Sequence, residues 1–157
     1  DLHEGKPIWL SSGPIAPAVV ASCALPPVFS PRKLYGKTLV DGGVIEMVPV
    51  SYAQKLNAEV IIAVDVSSRL PETLPNHILG VTKRSMEIIL RTLSEIQLEK
   101  ADVVIIPNVD HFGLFEENPK EIYNEGLKTC RAKLPEILNL LKNKGIELNG
   151  RGEELVF

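Results

Sequence analysis

The sequence predicts an α/β domain with a mostly parallel sheet, and three stretches carry that expectation. Glu59 to Val66 and Val103 to Ile106 are apolar and β-branched with little polar alternation, the pattern of strands covered on both faces by helices. Between them Met86, Ile89, Leu90, Leu93 and Ile96 recur at the i, i+3, i+4, i+7 spacing of a helix with one buried face. Strand, helix and strand in that order are the parts of a parallel crossover.

The other elements follow along the chain. Pro7 to Leu10 reads as a strand, with His3-Glu4-Gly5-Lys6 before it as a hairpin turn. Ser12-Gly13-Pro14 opens a short helix that tolerates Pro14 and Pro17, because first-turn N–H groups lack partners, and Pro26-Pro27 stop it after Leu25. Lys37 to Val40 is a strand ending at Asp41-Gly42-Gly43, and Pro49 to Leu56 a helix with Asn57 near its C-cap. A Pro-punctuated connection from Leu70 to Pro75 crosses the surface. Asn118, Pro119 and Glu121 then supply an N-cap, a first-turn proline and a capping-box acid. The helix they open reaches toward Asn143, with Pro135 either kinking or restarting it and Gly145 ending it. The polar tail from Asn149 reads as loose.

Composition narrows the function classes. Of the 157 residues 45% are hydrophobic and 24% charged, which suits one folded domain and excludes a disordered chain. A chain of this size buries roughly 68–70% of the surface it exposes when unfolded. The longest uninterrupted apolar run, Val60 to Val64, is far too short for a membrane span. A net charge of -3, with Lys and Arg scattered, excludes a nucleic-acid binder. Cys23 and Cys130 form no CxxC pair, so neither a disulfide framework nor a zinc site is expected. Both read as small buried hydrophobes in a reducing, cytoplasmic compartment. The chain opens at Asp1-Leu2 with no leader pattern, and it reads as beginning inside a domain.

Reactive groups in open α/β sheets gather at the carboxyl ends of strands, and Asp41 stands at such an end. Gly42 and Gly43 permit positive φ and remove Cβ bulk, so the backbone can turn and another element can approach the carboxylate. That suits a positioned general base. The plainer alternative is a turn in which Asp41 bonds its own backbone and glycine supplies the left-handed residue.

The surroundings of Asp41 favour the first reading. Ala21-Ser22-Cys23-Ala24-Leu25-Pro26-Pro27-Val28-Phe29-Ser30-Pro31 is followed by Tyr35-Gly36-Lys37-Thr38-Leu39-Val40-Asp41-Gly42-Gly43-Val44. Val48-Pro49-Val50 comes next, and then Ala58 to Val66. In this order, and with Asp1-Leu2, Ser12-Gly13-Pro14 and Ala101 to Pro107, nearly the whole chain resembles the patatin-like phospholipase family, in its bacterial stand-alone form.

The resemblance implies a three-layer acyl-hydrolase fold, with residues 1–157 as the C-terminal part of a single domain. It implies a Ser-Asp dyad, in which a serine on a GxSxG elbow attacks an acyl ester or phospholipid and the aspartate of a DG[AG] motif takes its proton. Asp41 fits the aspartate, and Gly42 and Gly43 shape its loop. A carboxylate is a weak base toward a hydroxyl, so this role needs a desolvated and tightly aligned setting. The family's oxyanion hole is a glycine-rich loop of backbone N–H groups, and the reaction needs no metal or organic cofactor. Neither GxSxG nor that loop occurs in this sequence, so the nucleophile is expected upstream and the chain alone is expected to be inactive. Partners implied are the missing N-terminal part of the same domain, a membrane surface touched transiently, and further copies of a chain left with uncovered apolar faces.

Other residues have plainer roles. No spacing pairs Ser22 or Cys23 with His111 for nucleophilic catalysis, and His3, His77 and His111 form no metal-ligand pattern. Gly150-Arg151-Gly152 lacks the strand, helix and third glycine of a dinucleotide turn. Asp65 either anchors its loop or lines the same cleft as Asp41, and Phe112, Leu114 and Phe115 either meet an acyl chain or pack in the core. Two rival functions stand beside the hydrolase: a non-catalytic acyl-binding or regulatory member of the same fold, and a phosphate-binding α/β module, which the absence of a phosphate-cradling loop weakens.

Overall fold

The computed structural model describes residues 1–67, 70, 72–110, 112 and 119–146. Two short ladders carry it, and they differ in kind. β1 (Arg32–Leu34) and β2 (Lys37–Leu39) pair antiparallel, Lys33 opposite Thr38. The turn between them holds Tyr35 at φ +49° and Gly36 at φ +75°, and two positive φ values are what match a two-residue turn to the twist of its strands. β3 (Ile62–Val64) and β4 (Val103–Ile105) pair parallel, Ala63 opposite Val104, with α3 (Ile78–Leu98) crossing between them.

The α/β class and the crossover are thus as the sequence predicts. The extent of the sheet is not: β2 belongs to the antiparallel ladder, and parallel pairing among the described residues is confined to β3 and β4. The segment Pro7 to Leu10 joins neither ladder. Pro7 has no N–H to donate, and this end of the chain is held instead by the Leu2 N–H on the Thr38 carbonyl at 2.8 Å. The turn before it does form, closed by the Gly5 N–H on the Asp1 carbonyl at 2.9 Å.

Side chains alternate across a strand, so Ala63 faces one side of the parallel ladder, and Val103 and Ile105 the other. Ala63 packs with Val48 and with Val50 of α2 (Val50–Lys55), ringed by Ile61, Leu98 and Ala101. On the far side Val103 and Ile105 pack with Ile137 of α4 (Pro119–Asn143), beside Leu140 and Leu141. On this face β4 therefore has a helix over it. β3 does not, because α4 lies over β4, and Ile62 and Val64 stay 42% and 50% exposed.

Helix α3 corrects the expected face. Ile89, Leu93 and Ile96 are exposed, while the side turned to the core carries Ser94, 1% exposed, with Leu90, Gln97 and Leu98 half-buried around it. The helix has apolar side chains on two sides, and periodicity finds a stripe without saying which stripe is covered. Its start is set by His77, whose Nδ1 accepts the Gly80 N–H at 3.0 Å. Cys23 and Cys130, read as buried, are exposed free thiols. No helix among the described residues is long and apolar enough to cross a membrane.

The helix α4 runs without a break through Pro135, so the proline does not restart it. Its expected N-cap, Asn118, lies outside the described residues. At the other end Gly145, φ +70°, donates to the Lys142 carbonyl, and Ile146 to that of Leu141, both at 3.0 Å. This paired closure satisfies the last carbonyls of a helix. It also places Lys144, whose Nζ donates to the Glu59 carbonyl at 2.6 Å and to Asp102 Oδ1 at 3.0 Å. Asp102 Oδ2 accepts the Ile61 N–H at 2.8 Å. One carboxylate and one ammonium thereby join the entries of both parallel strands to the end of α4.

The Ile61 N–H, and then the Lys144 ammonium, hold the Asp102 carboxyl below its usual range. The folded protein therefore releases this proton at lower pH than the unfolded chain does. The contribution is present above the ordinary carboxylate range and is lost as pH falls through the depressed folded value. Asp102 faces solvent, so the effect is modest. Asp102→Asn is expected to flatten the acid limb of the thermal-stability profile, and an unaltered limb would remove the staple from the stability of the fold.

Candidate active site

The carboxylate of Asp41 is positioned from two directions. Strand β2 leads into it, and the Asp41 N–H donates to the Ala24 carbonyl at 3.1 Å, tying the strand end to the turn after α1 (Ile15–Ser22). Ala21 and Ala24, both buried, keep that crossing close. Asp41 then caps the short 3₁₀ turn Gly42–Val44: Oδ1 accepts the Gly43 N–H at 2.8 Å, and the carbonyl accepts the Val44 N–H at 3.2 Å. The side chain is half-buried, and Oδ2 takes no hydrogen bond from the described residues.

Neither Gly42 nor Gly43 has positive φ, which corrects the conformational role expected of them. What matters at Gly43 is the missing side chain: a Cβ there would stand 3.1 Å from Asp41 Oδ1. At Gly42 a Cβ would meet only Ser22 Oγ, at 4.0 Å, so this residue leaves open space on the groove side of the loop. The local bonding is that of an Asx turn, and the same bonding leaves one oxygen of the acid unclaimed beside a groove.

That groove encloses about 770 Å³ and is lined by Asp41, Gly42 and Ser22 together with apolar residues such as Ile8, Val19 and Met47. It is half open to solvent, with a volume in the range of small-molecule sites and largely apolar walls. Trp9 and Tyr52 form part of the wall, stacked at 5.3 Å between centroids, with Lys55 Nζ 3.5 Å over the Trp9 ring. Sequence reasoning assigned neither aromatic to a site. The available signal was weak: the one Trp of the chain, two residues after a proline.

Of the remaining candidates among the described residues, most lie away from this groove. Asp65 is buried, and its Oδ1 accepts the Ser67 N–H at 2.9 Å, so it anchors its loop and does not line the groove. Ser22 does line the groove, close to Gly42. His3 is exposed, and His77 is a helix cap. His111, Leu114, Phe115 and Gly150-Arg151-Gly152 lie outside the described residues, and Phe112 is half-buried. Among the described residues no three His, Cys, Asp or Glu side chains come together as metal ligands would.

Comparison with known proteins bears on the same stretch. Residues 3–53, which contain Asp41, both glycines and the aromatic pair, match the patatin-like phospholipase family. Over 67 residues, 43% of the chain, the sequence is 37% identical to uncharacterized NTE family proteins of Mycobacterium bovis and Mycobacterium tuberculosis. The aligned stretch spans 19% of the length of these relatives.

Proposed function

We propose, from the premise that this chain belongs to the patatin-like phospholipase family, that it supplies the proton-accepting half of a lipid acyl hydrolase whose base is Asp41. The family points to a lipid hydrolase. The observation that carries the assignment to Asp41 is its half-buried carboxylate, fixed through Oδ1 by the Gly43 N–H, with Oδ2 unclaimed beside an apolar groove. In the reaction a serine Oγ attacks the acyl carbonyl carbon while its proton passes to Oδ2. Collapse of the tetrahedral intermediate breaks the bond to the alcohol, which leaves with that proton, and water then releases the acyl group by the same route.

The serine stands on a GxSxG turn outside these residues, in a preceding part of the same three-layer domain. That part packs on the open sides of Ile62, Val64, Ile88 and Ile96, all exposed here. The apolar wall formed by Val19, Met47 and Trp9 receives the acyl chain. In the full-length protein a fluorophosphonate probe is expected to label one serine upstream of Asp1, and to leave Ser22 unlabelled. A full-length protein that takes up no probe and hydrolyses no p-nitrophenyl ester would sink the hydrolase reading.

A further inference from the structure

The loop that carries Asp41 has little to hold it. Gly42 and Gly43 present no side chains, so the position of the 3₁₀ turn is set by hydrogen bonds within it and at its ends, among them Asp41 Oδ1 accepting the Gly43 N–H and the Glu46 carboxylate accepting the Ser51 N–H and Oγ–H, all at 2.8 Å. At the front the Asp41 N–H meets the Ala24 carbonyl. Inside, the Ile45 and Glu46 N–H groups both return to the Gly42 carbonyl, at 3.1 and 2.9 Å. At the back the Ile45 carbonyl accepts the Gln97 Nε2–H at 2.9 Å, from a residue 52 positions away on α3.

Resting on the reading of Asp41 as proton acceptor, we propose that Gln97 is a positioning residue for that acid, a strut from α3 that fixes the rear of its loop through the Ile45 carbonyl. The end of α3 is a firm base, since Leu98 and Ala101 pack against the buried Val48, Val50 and Ala63. The amide has one workable orientation, because reversing it would set oxygen against the Ile45 carbonyl oxygen. Its own Oε1 is buried with no partner among the described residues, as is Ser94 Oγ one turn earlier. The side-chain amide thus spends its one described hydrogen bond on the loop. An apolar residue beside Leu98 would fill this position without stranding an acceptor, so burial alone does not explain a glutamine here.

Displacement at Ile45 reaches Asp41 through only three residues, two of them glycine. Proton transfer is sensitive to sub-ångström placement, so the strut acts on the chemical step and not on substrate affinity. The test compares the full-length protein with Gln97→Met, which keeps the length and removes the donor, and with Gln97→Glu, which keeps the shape and has no donor when ionised. Hydrogen–deuterium exchange is followed over residues 41–47, with residues 103–105 as internal reference, alongside steady-state ester hydrolysis.

In both variants exchange over 41–47 is expected to quicken about tenfold while the reference strand keeps its rate. The kcat is expected to fall about tenfold with KM within about twofold. Unchanged exchange over 41–47 in either folded variant overturns the proposal. So does a quickening shared equally by 103–105, which is general loosening, or a change confined to KM. If wild-type protein turns over no ester yet its loop loosens selectively in both variants, the strut stands and the hydrolase reading falls.

Discussion

Asp41→Asn is expected to lower the kcat of the full-length protein by about 10²- to 10⁴-fold, the range over which a positioned general base acts. The substitution separates chemistry from architecture. An asparagine Oδ1 still accepts the Gly43 N–H that aspartate accepts at 2.8 Å, so the cap of the 3₁₀ turn and the tie to Ala24 persist. What is lost is the oxygen that can take a proton. Turnover of a p-nitrophenyl ester and the rate of fluorophosphonate labelling should fall together, with the thermal midpoint held within about a degree or two, as for a partly exposed isosteric change. Turnover close to wild type would remove Asp41 from the mechanism, and a midpoint that drops with the activity would make it a turn residue.

The largest stability effect is expected on the other face of the parallel ladder. Ile105→Ala should destabilise by about 2–5 kcal/mol, the usual cost of emptying a core aliphatic position. Ile105 is 4% exposed and belongs to a cluster with only two other buried residues, Val103 and Ile137. That cluster is what seats α4 on β4. So small a cluster gives the side chain few contacts to lose, which places the cost toward the lower part of the range. Urea unfolding measures it, and a loss below about 1 kcal/mol would mean that α4 settles onto the shortened side chain.

Much of this was legible in the amino-acid order, and the exceptions have physical reasons. The apolar runs around Ala63 and Val104 and the helix between them announce a crossover, and Asp41 stands at the end of a strand as expected. β1 was invisible because Arg32 and Lys33 offer no apolar alternation, and its partner is chosen by the Tyr35-Gly36 turn. The inward face of α3 was misread because Ser94, its most buried residue, has no hydrophobic signal, while Ile89 and Ile96, which have it, are exposed. The glycines after Asp41 matter through a missing Cβ and not through φ, a distinction that only the 3.1 Å approach to the carboxylate makes. Gln97 could not be found from the sequence, since its partner is a main-chain carbonyl 52 residues away and any residue type supplies that atom.

The stacked pair on the wall of the groove has a practical consequence. The indole of Trp9 is the only one in the sequence, and it sits against the Tyr52 ring with an ammonium over its face. Indole emission shifts with local hydration, and the indole component of the fluorescence of these 157 residues comes from a single site on the groove that the candidate acid lines. Light emitted there is a built-in gauge of how wet that recess is, readable without any label.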